Sequence, residues 1–261
     1  MQIYKVGGCV RDLILKKKPH DIDYVVVGST PEEMISLGYK QVGAEFPVFL
    51  HPETGEEYAL ARTERKTGDK HTDFAFSFGP EITLEEDLKR RDFTINAIAM
   101  SEDGNFIDPF GGRVDIKHKL IRHVSDAFSQ DPLRVLRAAR FAAQLDFKID
   151  VFSILKCRQM AKLGMLQHLT EERVWQEIEK ALHTNKFHVF LHYLEDMNAL
   201  PIILPEVYAL MDVPEAPQWH PEGNVYAHTL LCYREINKRI GVTGDDLALI
   251  NFGILCHDLG K

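Results

Sequence analysis

Two hydrophobic rhythms divide this 261-residue chain. Up to about residue 125, short apolar runs alternate with polar positions and are cut by glycine- and proline-bearing turns, which is how strands and short helices read. From Asp131 onward apolar residues recur at three- and four-residue steps, as on amphipathic helices. The spacing predicts helices over 131–145, 151–163, 171–183, 186–197 and 225–240, and a last one from Asp246. Gly164 supplies a stop and Thr170 a start. No internal repeat or low-complexity tract appears, so the expected fold class is α+β: a head of about 125 residues followed by an all-helical body.

Within the head, Ile3–Val6 reads as a strand that ends at Gly7-Gly8, where the missing Cβ atoms allow a sharp turn and close approach of a ligand. Val10, Leu13 and Ile14 then keep helical spacing, which points the unpaired N–H groups of a helix start at that turn. Asp21-Ile22-Asp23 opens the next strand, Tyr24–Val27. Thr30-Pro31-x-Glu33 and Thr83-x-x-Glu86 are capping boxes. Phe46–His51 and Glu56–Arg62 form a hairpin through Pro52–Gly55, and Ile98–Met100 and Asn105–Asp108 form another around Glu102-Asp103-Gly104. Thr63–Pro80 is polar and mixed in charge, and reads as a mobile loop over the site.

Composition narrows the class. With 45% hydrophobic and 27% charged residues the chain is an ordinary globular one. No apolar run approaches the ~20 residues of a membrane span, and no signal sequence precedes Gly7, so the expected location is cytoplasmic. Cys9, Cys157, Cys232 and Cys256 lie far apart and read as reduced core thiols. A net charge of −8 argues against indiscriminate coating of nucleic acid, which needs clustered Lys and Arg. The basic residues gather instead at Lys16–Lys18, Lys89–Arg91, Lys117–Arg122 and Arg134, Arg137 and Arg140, as an N-terminal half handling anionic substrates requires.

Candidate chemistry follows from three places. Asp-x-Asp on a strand sets two carboxylates on one face, and hard oxygen ligands of that kind suit Mg²⁺ with substrate phosphates completing its shell. Glu57 is either a third carboxylate on that face or a surface residue. Arg91, in Arg-Arg-Asp-Phe-Thr-Ile-Asn-Ala, offers the planar fork that binds phosphate bidentately. On the predicted helix from Asp131, Arg134, Arg137 and Arg140 stand at successive i+3 steps in one slanted stripe. Asp131 and Arg134 then form either a salt bridge or an acceptor and donor matched to a base edge.

The combination Gly7-Gly8-x-Val10-Arg11-Asp12 with Asp21-x-Asp23 resembles the nucleotidyltransferase head of the class II tRNA nucleotidyltransferases, the CCA-adding enzymes, and of the bacterial poly(A) polymerases. The likeness runs from Met1 to about Leu210. The run Phe46-Pro47-Val48-Phe49-Leu50-His51-Pro52 is similar to the CCA-adding branch. It implies a polymerase-β-like head, residues 1–125; a helical neck and body with a base-selecting helix, 126–210; and the start of an HD domain, 211–261. It further implies that Asp21 and Asp23 are catalytic and hold Mg²⁺, and that Gly8, Arg11, Arg91, Arg137 and Arg140 bind the nucleotide. Asp131 and Arg134 then select CTP or ATP, the tRNA 3′ end being the acceptor. A loop at 63–80 is tied in the family to the change from adding C to adding A. Gln130 stands where the family commonly has Glu, which puts fidelity in question. Gly111-Gly112 and Asp115 resemble a structural turn, and Thr170–Arg173 a brace for the base-selecting helix. Poly(A) synthesis and non-catalytic RNA binding are the alternative readings, and the oligomeric state stays open between monomer and homodimer.

Finally, His228 and the stretch Cys256-His257-Asp258-Leu259-Gly260-Lys261 resemble the HD phosphohydrolases, in which His, His-Asp and a later Asp bind metal. His228, His257 and Asp258 are the candidate ligands. Without the later Asp the expected site is incomplete, with Ni²⁺ or Mg²⁺ phosphohydrolase activity only if it is completed.

Overall fold

The computed structural model describes residues 1–19, 21–42, 48–66, 74–239 and 241–261. They form two compact units, Met1–Gln130 and Asp131–Lys261. Among the described residues no helix is long and apolar enough to cross a membrane.

The first unit begins with β1 (Gln2–Val6), turns through Gly7 into α1 (Gly8–Ile14) and returns on β2 (Asp23–Val27). Next come α2 (Pro31–Ser36), β3 (Lys40–Val42), β4 (Val48–Leu50), β5 (Glu57–Leu60), β6 (Arg62–Lys66) and β7 (Phe74–Phe78). The unit continues through α3 (Leu84–Lys89), β8 (Ala99–Ser101), β9 (Phe106–Ile107) and α4 (Gly112–His118). Among the described residues seven strands make one mixed sheet in the order β3-β4-β5-β2-β1-β8-β9, with β2 and β5 parallel and the other neighbours antiparallel. Alternation along these strands sorts the core by face. Val6 and Val25 pack with Ala61, Ile82, Leu88, Ala97 and Ala99; Val26, Leu60, Phe49 and Tyr58 pack with Met34 of α2.

The helix starts are where the sequence puts them, because side chains satisfy donors that the first turn leaves unpaired. The Thr30 hydroxyl accepts from the Glu33 N–H with Pro31 in the first turn, and Thr83 with Glu86 forms a complete capping box on α3. One expectation is corrected. Thr63–Pro80 does not read as a loop throughout: β6 and β7 pair antiparallel, Arg62 opposite Phe78 and Lys66 opposite Phe74, as a separate ribbon. Phe74, Phe76 and Phe78 carry the period of two that marks this strand, and residues 67–73 of the expected loop lie outside the described residues. The strand expected over 56–62 correspondingly ends at Leu60; the Ala61 N–H still donates to the Val26 carbonyl at 2.8 Å before β6 begins at Arg62. Residues 46 and 47 of the Phe46–His51 strand also lie outside the described residues.

The second unit is helical: α5 (Leu133–Leu145), α6 (Val151–Lys162), α7 (Glu171–Leu182), α8 (Phe187–Asp196), the short α9 (Leu200–Ile203) and α10 (Pro205–Ala209), then α11 (Val225–Arg239) and α12 (Gly244–Cys256). α5 packs on α7 and α8. Its core is apolar on both sides, with Val135, Leu136, Ala139 and Ala142 of α5 and Phe187, Phe190, Leu191 and Leu194 of α8 fully buried. The buried Asn251 amide of α12 donates to the Leu182 and Thr184 carbonyls at the end of α7, at 2.7 and 3.0 Å.

Candidate active site

The head site grows from the β1–α1 turn. Gly7 has φ 78°, a backbone conformation that favours glycine, and its N–H donates to the Ile98 carbonyl at 3.3 Å. A Cβ built on Gly7 would lie 3.0 Å from an Arg91 Nη1 and 3.8 Å from an Asp23 oxygen. Glycine thus keeps open a small space bounded by a guanidinium and a carboxylate. A Cβ on Gly8 would meet the Arg11 guanidinium at 3.5 Å.

β2 starts at Asp23, paired with Val6 of β1, and Asp21 lies in the bend just before it. The alternation expected to align the two aspartates therefore holds only from Asp23 onward. Electrostatics still couples them: burial, countered by Arg91 and reinforced by the Asp21 charge, raises the Asp23 carboxyl above its usual range. Two carboxylates that repel each other beside a desolvating wall fit a hard divalent cation. Across the parallel pairing Val25 faces Ala59, so alternation puts Glu57 on the sheet face that carries Asp23.

Behind this front stands a polar frame that sequence reasoning assigned only in part. Asp87 of α3 is fully buried and accepts from Arg91 at 3.0 Å and from Arg90 at 2.7 Å. Its burial opposes ionisation, but the two guanidiniums hold its carboxyl below the usual range. Arg11 is itself buried; its guanidinium pairs with Asp12 at 2.9 Å and donates to Asn96 at 2.8 Å, and the Asn96 amide donates to Asp92 at 3.0 Å. The Arg-Arg-Asp-Phe-Thr-Ile-Asn-Ala run is thus a scaffold for both arginines. The expected structural turn at Gly111-Gly112 is also visible: Gly111 has φ 76°, and a Cβ on Gly112 would lie 2.1 Å from the Thr94 carbonyl oxygen. Buried Asp115 accepts from the Thr94 hydroxyl at 2.6 Å and pairs with Arg122 at 3.2 Å.

In the second unit Asp131 opens α5. One carboxylate oxygen accepts from the Leu133 N–H at 3.0 Å, and the other pairs with Arg173 of α7 at 2.9 Å. Arg173 thereby acts as the brace anticipated for Thr170–Arg173. Arg134 is buried at the start of the helix. Arg140 donates to Glu177 of α7, and Arg137 pairs with the other Glu177 oxygen at 3.7 Å. Sequence spacing alone does not single out Glu177, which is 2% exposed. The available signal was a lone acid on the buried face of α7 beside Ile178 and Ala181.

At the far end His228 on α11 and His257 just past α12 approach with ring centroids 5.7 Å apart. Asp258 pairs with His257 at 3.2 Å and Lys261 at 3.0 Å. Burial raises the Asp258 carboxyl, but Lys261 and the two histidines bring it below its usual range. All four cysteines are free; Cys9 and Cys157 are buried as expected, whereas Cys232 and Cys256 are only partly so, which corrects their reading as core thiols.

The chain is similar to known proteins. Residues 3–122 match the poly A polymerase head domain family, and residues 146–211 match the family described as the probable RNA and SrmB-binding site of polymerase A. The multifunctional CCA protein of Mannheimia succiniciproducens is 52% identical across the whole chain. The chain belongs to the CCA-adding enzyme family. It spans 63% of that relative's length. The Bacillus stearothermophilus CCA-adding enzyme solved in complex with CTP is 36% identical with a TM-score of 0.63, over 76% of this chain and 48% of that one. A solved apo tRNA-processing enzyme is 32% identical with a TM-score of 0.67, over 99% of this chain and 70% of that one. The first unit therefore has the polymerase-β-like nucleotidyltransferase fold, and the second holds a helical body that matches this family over residues 146–211.

Proposed function

We propose that this protein transfers CMP and AMP from CTP and ATP to the 3′ end of tRNA, releasing pyrophosphate at each addition and completing the terminal CCA. The observation that carries this reading is the convergence of Gly7, Arg91 and the raised Asp23 carboxyl, next to Asp21, on one turn of a nucleotidyltransferase head. Asp21 and Asp23 would hold Mg²⁺. The bound ion supplies Lewis-acid activation of the primer hydroxyl and charge neutralisation at the triphosphate. Arg91, fixed by Asp87, keeps donors for the triphosphate, and the backbone at Gly8 accepts the close approach of a phosphate. Arg11, read as a nucleotide contact, is buried with its guanidinium on Asp12 and Asn96, which fixes its position beside the turn. The primer 3′ oxygen bonds to the α-phosphorus, the bond to the β-phosphate bridge breaks, and the hydroxyl proton leaves to solvent.

Base choice falls to Asp131 and Arg134 at the start of α5, an acceptor and a donor that can match the edges of cytosine and adenine. Arg173 and Glu177 keep them and the following arginines in place. Arg137 and Arg140, the nucleotide contacts expected from the sequence, both pair with Glu177, Arg137 one-third exposed at 3.7 Å and Arg140 buried. The segment 211–261 is read as the start of an HD domain, and the protein as a cytoplasmic enzyme. The testing experiment supplies defined nucleotides to a tRNA that ends before its CCA. CTP alone should give two additions and stop, and ATP should then add one. Long tails from ATP alone would establish the poly(A) polymerase reading instead, and tRNA binding with no incorporation would leave only an RNA-binding module.

A further inference from the structure

Arg91 belongs to a ring of bonds that reaches well beyond the glycine turn, and Asp87 stands at its centre with its two oxygens divided between two tasks. Oδ2 accepts from Arg91 Nε at 3.3 Å and from Nη2 at 3.0 Å, so the guanidinium is held along one side. The third nitrogen, Nη1, is the atom that a Cβ on Gly7 would meet at 3.0 Å. Oδ1 accepts from Arg90 Nε at 3.1 Å and Nη2 at 2.7 Å, and from the backbone N–H of Arg62 at 3.3 Å. Arg90 Nε also donates to the Arg62 carbonyl at 3.2 Å, which closes the ring.

Arg62 is where the chain changes sheets. The Ala61 N–H bonds to the Val26 carbonyl of β2, and Arg62, opposite Phe78, begins the β6–β7 ribbon. The N–H and the carbonyl of the ribbon's first residue are therefore both tied to the carboxylate that orients Arg91, one directly and the other through Arg90. Asp87 is fully buried and the Arg90 side chain is 17% exposed, so water competes little for these bonds. A shift of Arg62 against α3 either strips a donor from a buried carboxylate or turns that carboxylate, and Arg91 with it. Such coupling is reciprocal: whatever fixes Arg91 also fixes the start of the ribbon.

We propose that Asp87 and Arg90 are positioning residues that latch the root of β6 to Arg91, so that the placement of the ribbon sets how firmly the protein holds a triphosphate. The inference rests on the nucleotidyl-transfer reading, in which Arg91 meets the triphosphate. It is distinct from base choice: CTP and ATP carry the same triphosphate, so the latch acts on both alike.

The test is calorimetric titration of the full chain with CTP and with ATP in Mg²⁺ without tRNA, for wild type, Arg90→Met, Arg91→Met and the double variant. Arg90→Met should weaken both nucleotides by the same factor, roughly 10-fold, the order expected from one hydrogen bond to a charged group. In the Arg91→Met background the same change should add little, because the two residues act through one carboxylate. A purely structural Arg90 would lower the melting midpoint and leave the affinities of the folded protein unchanged. Unchanged affinities in folded Arg90→Met would thus overturn the proposal, as would a loss confined to one nucleotide or an effect undiminished in the double variant. Incorporation into tRNA is followed on the same preparations. Wild type that binds both triphosphates but adds neither to tRNA would refute the transfer reading while the variants still decide the latch; wild type that binds neither would overturn both.

Discussion

Glu177 is the member of the helical unit whose replacement should say most about how the base-selecting helix is held. Glu177→Gln keeps the shape and removes the charge that Arg137 and Arg140 share. The two pairs are unequal. The Arg140 and Glu177 side chains are 8% and 3% exposed, so this is a buried ion pair, and loss of one partner of such a pair costs about 3–5 kcal/mol. Arg137 is 32% exposed and 3.7 Å away, which puts its pairing at about 0.2–1 kcal/mol. An amide still accepts one hydrogen bond, so the expected loss lies at the lower end, about 3 kcal/mol. At roughly 2–4 °C per kcal/mol for a unit of this size, the helical unit should melt about 6–12 °C lower. Thermal unfolding followed by far-UV circular dichroism measures this, with Arg137→Met as a comparison that should move the midpoint by only about 1–3 °C. A Glu177→Gln midpoint within about 2 °C of wild type would refute the assignment of Glu177 as the buried counter-charge of α5.

Three other outcomes follow from the same reasoning. Gly112→Ala should destabilise the head by about 1–3 kcal/mol, because its Cβ would sit 2.1 Å from the Thr94 carbonyl oxygen; an unchanged urea midpoint would show that the turn can yield. Arg173→Met releases the Asp131 carboxylate from a partly exposed pair, so stability should change by less than about 1 kcal/mol, while the ratio of CTP to ATP incorporation shifts. The third concerns pH. The Asp23 carboxyl is raised in the folded state by burial and by Asp21, so its contribution to stability is present at low pH, below the pKa of an unfolded aspartate, and is lost as pH rises through the raised value. In chelator, Asp23→Asn should therefore melt with wild type at low pH and above it at neutral pH; the opposite order would contradict the assignment of strain to that carboxylate.

The sequence made the local grammar legible because caps, glycine turns and periodicity act over a few residues. Gly7, the N-cap at Thr30, the capping box at Thr83, and the helices α5 to α8, α11 and α12 follow from it, whereas the spacing predicts neither of the short helices α9 and α10. The hairpin of β6 and β7 was missed, although Phe74, Phe76 and Phe78 alternate as a strand should, because polar residues upstream outweighed that period. The polar frame of the site was legible only in part. Arg91 stood out as a phosphate ligand, but Asp87, four residues earlier, reads as an ordinary helix acid until its burial is seen. Glu177 and Arg140 are 37 residues apart, and pairing at that distance is set by how α7 packs on α5. Count and spacing do not place Cys232 beside His228 and His257, because the fold brings α11 and the end of α12 together.

The central claim is that Asp21 and Asp23 form the catalytic centre of nucleotidyl transfer to tRNA. Its most direct measurement is incorporation of radiolabelled CTP into a tRNA lacking CCA by wild type, Asp21→Asn and Asp23→Asn, with tRNA binding followed on the same preparations. Loss of incorporation in both variants with tRNA binding retained is the expected result; undiminished incorporation by either would contradict the account.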